Sequence, residues 1–227
     1  MGRKTRIENP DGTDVTFGYE FGAQDTAARF LTRTIDQMDN EKTALKDARG
    51  NIRRIMEDAD GTPITTTYAY SPLGEITRVT DDRGNVTTME YDLLGRRTSI
   101  TNPDTGYVSY VYDTAGNMIR KTTPEMRAAG RCVMYQYRYN RLERIDYPNM
   151  NDVYYTYGDT SATGNRRGRL VSVDNGTVKE EYAYGRLGET IRVDRTVAAM
   201  ATTPQATYRS EYEYDNLGRM KRLVFPD

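Results

Sequence analysis

Aromatic and aliphatic residues alternate with polar ones along this chain in short runs, and Asp and Gly cut the runs at regular intervals. In Tyr212-Glu213-Tyr214-Asp215-Asn216-Leu217-Gly218 two tyrosines stand two residues apart, so both face one side of a strand. The same Tyr-x-Tyr-Asp-x-x-Gly signature is complete at Tyr110 to Gly116. It is worn at Tyr68 to Gly74, at Tyr182 to Gly188 and at Glu90 to Gly95. After the turn, apolar residues follow at three and five past Gly, as Val171 and Val173 or Ile191 and Val193, and again share a face. Period-two alternation bounded by turn residues predicts half-buried β-strands.

The signature sets a metre. Its second tyrosine falls at Tyr70, Tyr91 and Tyr112, a period of 21 residues, and later anchors are read at Tyr139, Tyr157, Tyr184 and Tyr214. Turn glycines at Gly74, Gly84, Gly95, Gly106 and Gly116 are 10 or 11 residues apart. That leaves about seven residues per strand, roughly 23 Å, so one repeat is two strands and two turns. Asp at the first and Gly at the fourth turn position suit a type I turn closed with a bulge. The anchors of the repeat are therefore Tyr70, Tyr91, Tyr112, Tyr184 and Tyr214, with Gly74, Gly95, Gly116, Gly188 and Gly218. Asp47 to Asn51 and Asp81 to Asn85 repeat the turn logic without the tyrosines. A stacked row of tyrosines, each burying ~150–250 Å² if covered, would supply much of the apolar contact.

The predicted fold class is all-β: an antiparallel hairpin strip, curved or spiral and open-ended. It reads as one continuous array over residues 1–227, irregular over 1–63, regular over 64–124, carrying loop insertions over 125–211 and ending in a truncated repeat at 212–227. The insertions fall at 125–134, 158–168 and 195–207. At Tyr139 to Glu143, and again at Tyr157-Gly158, the signature's turn residues are lost. Two readings stand for residues 22–46: a helix starting in Gln24 to Arg29, or strands at Arg29 to Asp36 and Lys42 to Lys46 with a turn near Met38 to Asn40. Both ends read as cut, since Phe225-Pro226-Asp227 stops where Asn102-Pro103-Asp104 runs on to Gly106.

Composition removes whole classes of chemistry. With no histidine, the nucleophile pairs that rely on imidazole and the commonest neutral general base are missing. One cysteine, Cys132, forms no internal disulfide and, without histidine, no four-ligand zinc set. No phosphate-cradling Gly-x-x-x-x-Gly-Lys-Ser/Thr loop occurs. Glu180 with Glu181, and Asp81 with Asp82, are acid pairs in composition but read as solvated or turn-capping groups. Asp92, Asp113 and Asp215 read as turn caps, not calcium ligands. The expectation is no catalytic residue, no metal and no cofactor. Net charge is −1, leaving no nucleic-acid footprint. Mean hydropathy is −0.81, and no apolar run approaches the ~18 residues of a membrane-spanning helix. Basic residues such as Arg96, Arg97, Arg166, Arg167, Lys221 and Arg222 alternate with acids, which suits cross-strand charge pairs.

The 19 tyrosines, against four Phe and no Trp, carry two readings. One is the packed ladder of the repeat. The other is a set of sugar-binding platforms, for which Tyr135, Tyr147, Tyr154 and Tyr208, off the main metre, are the exposed candidates.

Tyr-Asp-x-x-Gly-Arg at Tyr91 to Arg96 and Tyr214 to Arg219, the Arg-Gly-Asn turns and the Pro-Asp pairs resemble the RHS/YD-repeat family. The resemblance covers nearly all of the chain, most firmly 64–124 and 180–227. It implies a β-hairpin strip that coils into a spiral, and in larger members a hollow shell enclosing a toxic C-terminal polypeptide in bacterial toxins and secreted systems. Related shells occur in wall-associated and adhesion proteins. It therefore implies a non-catalytic, secreted or cell-surface protein. Its partners would be the rest of its own polypeptide or an enclosed toxin-like domain, with a glycan or neighbouring surface protein as the alternative. A dimer through open sheet edges is a further expectation. The Asp-Pro-x-Gly-Leu stretch of the family's self-cleaving segment is absent, so no autoproteolysis is expected.

Overall fold

The computed structural model describes residues 3–24, 27–59, 61–199 and 203–226. Nineteen strands are found among them, and the chain divides into two compact units, Met1–Ser109 and Tyr110–Asp227.

The first unit holds β1 (Arg6–Glu8), β2 (Asp14–Gln24), β3 (Ala27–Ile35), β4 (Glu41–Lys46), β5 (Ile52–Ala59), β6 (Thr62–Tyr70), β7 (Ile76–Thr80), β8 (Val86–Tyr91) and β9 (Arg97–Asn102). Each pairs antiparallel with the next in the chain. The unit boundary falls inside β10 (Gly106–Tyr112), whose first residues pair with β9, from Gly106 opposite Asn102 to Ser109 opposite Ser99. The second unit continues with β11 (Met118–Thr122), β12 (Val133–Arg138), β13 (Arg141–Asp146), β14 (Val153–Tyr157) and β15 (Leu170–Asp174). It ends with β16 (Val178–Tyr184), β17 (Thr190–Val197), β18 (Ala206–Tyr214) and β19 (Met220–Val224). From β11 onward, sequential antiparallel pairing again holds throughout. The insertion at 125–134 holds one short helix, α1 (Pro124–Ala128), capped by the Thr123 side chain and started by a proline.

The strands read for residues 22–46 form, as β3 and β4. Gln24 ends β2 and Ala27 opens β3, so the helix considered for Gln24 to Arg29 does not form; residues 25 and 26 lie outside the described set. Phe30 sits opposite Phe21 across this hairpin, with ring centroids 4.9 Å apart, a cross-strand aromatic pair that favours the strand form.

Register explains the spacing of the apolar positions. The first tyrosine of a signature stands directly opposite the aliphatic residue five past the turn glycine. Tyr68 faces Val79, Tyr182 faces Val193 and Tyr212 faces Leu223. Off the complete signatures, Tyr155 faces Val173 and Tyr135 faces Ile145 in the same way. Directly opposed residues share a face, so rings and aliphatics form one surface. The other surface of the second unit is charged: Glu181 faces Asp194, which faces Arg209. Ion pairs link opposed residues, among them Lys42–Glu57 at 2.5 Å, Arg209–Asp194 at 2.7 Å and Arg222–Glu213 at 3.4 Å. Arg222 thus makes the expected cross-strand pair, whereas Arg96 turns back onto its own turn residue Asp92.

Very little of this is a core. Leu45, Val108, Val133 and Ile145 are the only buried hydrophobic residues among those described. Within each unit, the extensive contacts among described elements run between strands consecutive in the chain. Among the described residues β1 pairs only with β2, and β19 only with β18, so each has one open edge.

One anchor is corrected. Tyr139 does not end a strand; with Asn140 it forms a two-residue turn, φ +51° and +58°, between Arg138 and Arg141. Two consecutive left-handed residues make the primed hairpin turn whose twist suits antiparallel strands. The anchor position is taken by Tyr137, where the register shifts as it does at Tyr70, Tyr91, Tyr184 and Tyr214.

Candidate functional site

Two local constructions carry the chemistry of the described residues: the turn that ends each signature, and a groove on the second unit.

The turn is a five-residue clasp. At Asp92 the Gly95 N–H donates to the Asp92 carbonyl at 3.0 Å, and the Asp92 N–H donates to the Arg96 carbonyl at 3.0 Å. The Asp92 carboxylate accepts from Leu94 N–H at 2.9 Å, Arg96 N–H at 3.0 Å and Arg96 Nε at 2.7 Å. Asp215 repeats this with Leu217 N–H, Arg219 N–H and Arg219 Nε. Asp113 receives the backbone and side-chain amides of Asn117 at 2.8 and 3.0 Å. Gly74, Gly95, Gly116, Gly188 and Gly218 all take positive φ, between +75° and +97°, the region only glycine enters freely. The clasp holds the pKa values of these carboxyls below the ordinary aspartate value. The Asn117 side chain leads for Asp113, and the Arg219 backbone N–H leads for Asp215.

The second tyrosine of the signature ties one hairpin to the one before it. Tyr70 donates its hydroxyl to the Ile52 carbonyl at 2.8 Å, Tyr91 to Ile76 at 2.9 Å and Tyr184 to Leu170 at 2.8 Å. In every case the acceptor lies two residues past the glycine of the preceding turn. The Arg53 guanidinium covers the Tyr70 ring at 5.1 Å, and Arg169 covers Tyr184 at 5.6 Å. Tyr112 and Tyr214 end β10 and β18 at the same place in the signature; Tyr214 has no hydroxyl partner among the described residues. The Tyr-to-carbonyl bond had no signature of its own, because the acceptor is backbone. The role of the residue after Gly was legible as a recurrent Asn or Arg, but not its bond to Asp.

The acid pairs separate. Glu180 and Glu181 are adjacent on a strand and point to opposite faces. Glu180 accepts the Tyr182 hydroxyl at 2.7 Å and Arg195 Nε at 2.8 Å. Burial first, then Glu180, pushes the Tyr182 phenol up to about 12. Asp81 caps Asn85, and Asp82 accepts the Thr65 N–H. Each acid is held by a structural partner. No cluster of three or more metal-ligating side chains occurs among the described residues.

The groove is on β12–β14 and the 158–168 insertion, with a volume of about 620 Å³. Its walls carry three arginine–tyrosine stacks: Arg138 over Tyr139, Arg141 over Tyr157 and Arg144 over Tyr154, each at 5.5 Å. Tyr139 is 86% exposed and Tyr154 49%. Arg144 is fixed by Asp152 at 2.5 Å, and Tyr154 donates to the same carboxylate at 3.3 Å. Of the four tyrosines read as off-metre and exposed, Tyr154 and Tyr208 are exposed, while Tyr135 and Tyr147 are half-buried on the ring-and-aliphatic face.

The RHS Repeat family matches residues 47–84, 70–107 and 91–125. No curated protein matches the chain. Among solved structures, the TcdB2-TccC3 crystal structure is similar with a TM-score of 0.72 at 15% identity. The Photorhabdus luminescens Tc holotoxin pore with the TccC3 D651A mutation, and the TcdB2-TccC3-Cdc42 structure, each give 0.71 at 14% identity. All three cover 99% of this chain, which spans 13% of each of theirs. At such identity the likeness is one of fold, and it agrees with the repeat match and with the clasped turns on both sides of it. Residues 47–125 are RHS repeats, and the same antiparallel hairpins with clasped turns continue on both sides of them.

Proposed function

We propose that this chain is a non-catalytic stretch of wall in a larger secreted or cell-surface protein, and that the wall encloses or displays another polypeptide. The observation that carries the reading is the near absence of a core in a chain whose strands are fully zipped. Only four hydrophobic side chains are buried among the described residues, so the sheet's ring-and-aliphatic face is built to meet something beyond the strands described. The structurally similar proteins include a Tc holotoxin, which supports a toxin-like enclosed partner. Asp92, Asp113 and Asp215 hold their own turns, and Asp194, Glu180 and Glu213 pair with arginines across strands, which supports a scaffold over an enzyme. The open edges of β1 and β19 suit further repeats or a second copy by strand addition.

The test is protease protection in the assembled protein, with the particle imaged by electron cryomicroscopy. The enclosed polypeptide should resist cleavage until the wall is opened, and these strands should trace wall density. A guest cut as fast as its free form, with both faces of the strip in bulk solvent, overturns the reading. Fractionation of the source cells should place the protein outside the cytoplasm; recovery from the cytoplasm alone overturns the location.

A further inference from the structure

Asn175 and Gly176 form the only Asn-Gly pair in the sequence, and they stand in the turn between β15 and β16. A nitrogen that belongs to glycine has no side chain beside it, and the asparagine carboxamide carbon is within reach of that nitrogen through a five-membered ring. The turn supplies what such a ring closure needs. The Gly176 N–H donates to Asp174 Oδ1 at 2.7 Å, so a carboxylate is in place to take the proton as the nitrogen attacks. Asp174 makes no ion pair among the described residues, so no cation competes for it. Asn175 Oδ1 accepts the Thr177 N–H at 3.0 Å and the Val178 N–H at 2.7 Å. Two backbone donors on one oxygen polarise Cγ and would hold the negative charge that gathers there in a tetrahedral intermediate, as an oxyanion hole does. The same two bonds curl the carboxamide forward over the peptide bond that follows it. The Asn175 side-chain nitrogen, which has to leave, has no partner among the described residues. Gly176 is exposed to water.

Other turn asparagines are arranged against this chemistry. Asn51, Asn85 and Asn117 donate their side-chain nitrogens to the Asp four residues earlier at 3.3, 2.8 and 3.0 Å. That draws the carboxamide backward and holds the leaving group. The residues that follow them are Ile52, Val86 and Met118, whose side chains crowd the nitrogen.

We propose that Asn175 is a self-modification site, at which the turn converts it through a cyclic imide to aspartate or isoaspartate. The Gly176 nitrogen bonds to Asn175 Cγ and the Cγ–Nδ2 bond breaks. The Gly176 proton passes through Asp174 to the departing nitrogen, which leaves as ammonia. Water then opens the ring, with no change of oxidation state. Attack at the side-chain carbonyl gives aspartate; attack at the main-chain carbonyl gives isoaspartate, with one more carbon in the main chain. That carbon falls where the turn is tied to its neighbours, through the Ala198 N–H on the Thr177 carbonyl at 2.7 Å and the Asn151 side chain on the Thr177 hydroxyl at 3.3 Å. The inference does not depend on the wall reading.

The whole chain is incubated at neutral pH and physiological temperature, folded in buffer and unfolded in guanidinium, then digested and read by mass spectrometry. Isoaspartate is measured by enzymatic methylation of its carboxylate. Asn175 should convert at least about tenfold faster in the folded chain than in the unfolded one, because the fold positions the reacting atoms. Asn51, Asn85 and Asn117 in the same folded digests should stay intact. Asp174→Asn should slow the conversion at least about tenfold, and Asp104→Asn, on another turn, should leave it unchanged. An intact Asn175, or one that converts no faster folded than unfolded, overturns the site. Conversion of Asp174→Asn at the parent rate overturns the role of Asp174. The folded and unfolded rates of the parent chain decide the matter even where a variant fails to fold.

Discussion

The Glu189 carboxylate accepts the Leu187 N–H at 2.8 Å, from the far side of a turn whose first residue is Gly185. In the complete signatures that N–H is held by the Asp at the first position, as Leu217 is by Asp215. The worn copy has moved its carboxylate four residues along the chain and kept the bond. Ser71 and Glu75 make a related exchange: the Ser71 hydroxyl receives the Leu73 N–H and itself bonds Glu75. The clasp is thus conserved as an interaction within the chain although its residues change places. A β-carbon at position 185 would collide with the Glu189 carboxylate. Gly185→Asp alone should therefore destabilise, and Glu189→Asn alone should cost about 0.5–1 kcal/mol, as side-chain caps do. Gly185→Asp with Glu189→Asn rebuilds the complete clasp and should return to within about 0.5 kcal/mol of the parent. Urea melts of the four proteins form the cycle; additive losses in the double variant would show that the two sites are not exchangeable.

The hydroxyl of Tyr91 bonds the carbonyl of Ile76, the first residue of β7, the strand that closes the preceding Tyr-Asp hairpin. Removing it leaves ring packing unchanged and one bond unmade. Tyr70→Phe and Tyr91→Phe should each lower unfolding free energy by about 1 kcal/mol. Tyr139→Phe, on an exposed turn, should change nothing measurable. Equal effects at all three positions would mean that the hydroxyls are not structural ties.

Acid should loosen the turns in a defined direction. Asp81, Asp113 and Asp215 have pKa values lowered in the fold, led by Asn85, by Asn117 and by the Arg219 backbone N–H respectively. Their contribution is therefore complete above the unfolded value, near pH 4, and is lost as pH falls through the lower folded values. Tyr182 runs the opposite way. Its folded value of about 12 exceeds the ordinary ~10, so its contribution is complete below pH ~10 and lost as pH rises through about 12. Melts at stepped pH should show a fall in stability at the acid end, shallower in Asp113→Asn. Absorbance titration of the phenols should show a late-titrating group that Glu180→Gln brings down; an unchanged titration would remove Glu180 as a cause.

Gly116 tests the backbone alone. Its φ is +93° and nothing stands within 4 Å of where a side chain would begin. Gly116→Ala should cost about 1–2 kcal/mol through conformation only, and Gly116→Asn less, since Asn tolerates the left-handed region. A neutral Gly116→Ala would mean that the turn relaxes to another form.

Much of this molecule was written along the chain. The 10- or 11-residue interval between turn glycines placed the hairpins, and the Tyr-x-Tyr and Gly+5 positions set which side chains share a face, because strand geometry has a period of two. The clasp was half legible: Asp and Gly announced a turn by their local preferences. Where the signature failed, local pattern misled. Tyr139 continued the count of tyrosines, yet the missing Asp and Gly let Tyr139 and Asn140 take the turn themselves and passed the anchor to Tyr137.

What sequence by itself determined is therefore the hairpin and its turn, since both rest on bonds between residues a few places apart. Only the tertiary structure decided the ties between hairpins, from Tyr70 to Ile52 and from Tyr184 to Leu170, because a backbone carbonyl carries no residue identity to read. It alone also brought Arg141 and Arg144 beside Tyr157 and Tyr154. Those rings and guanidiniums meet through strand pairing across β12–β14, and which charge is left without an acid depends on what each neighbour strand places opposite it.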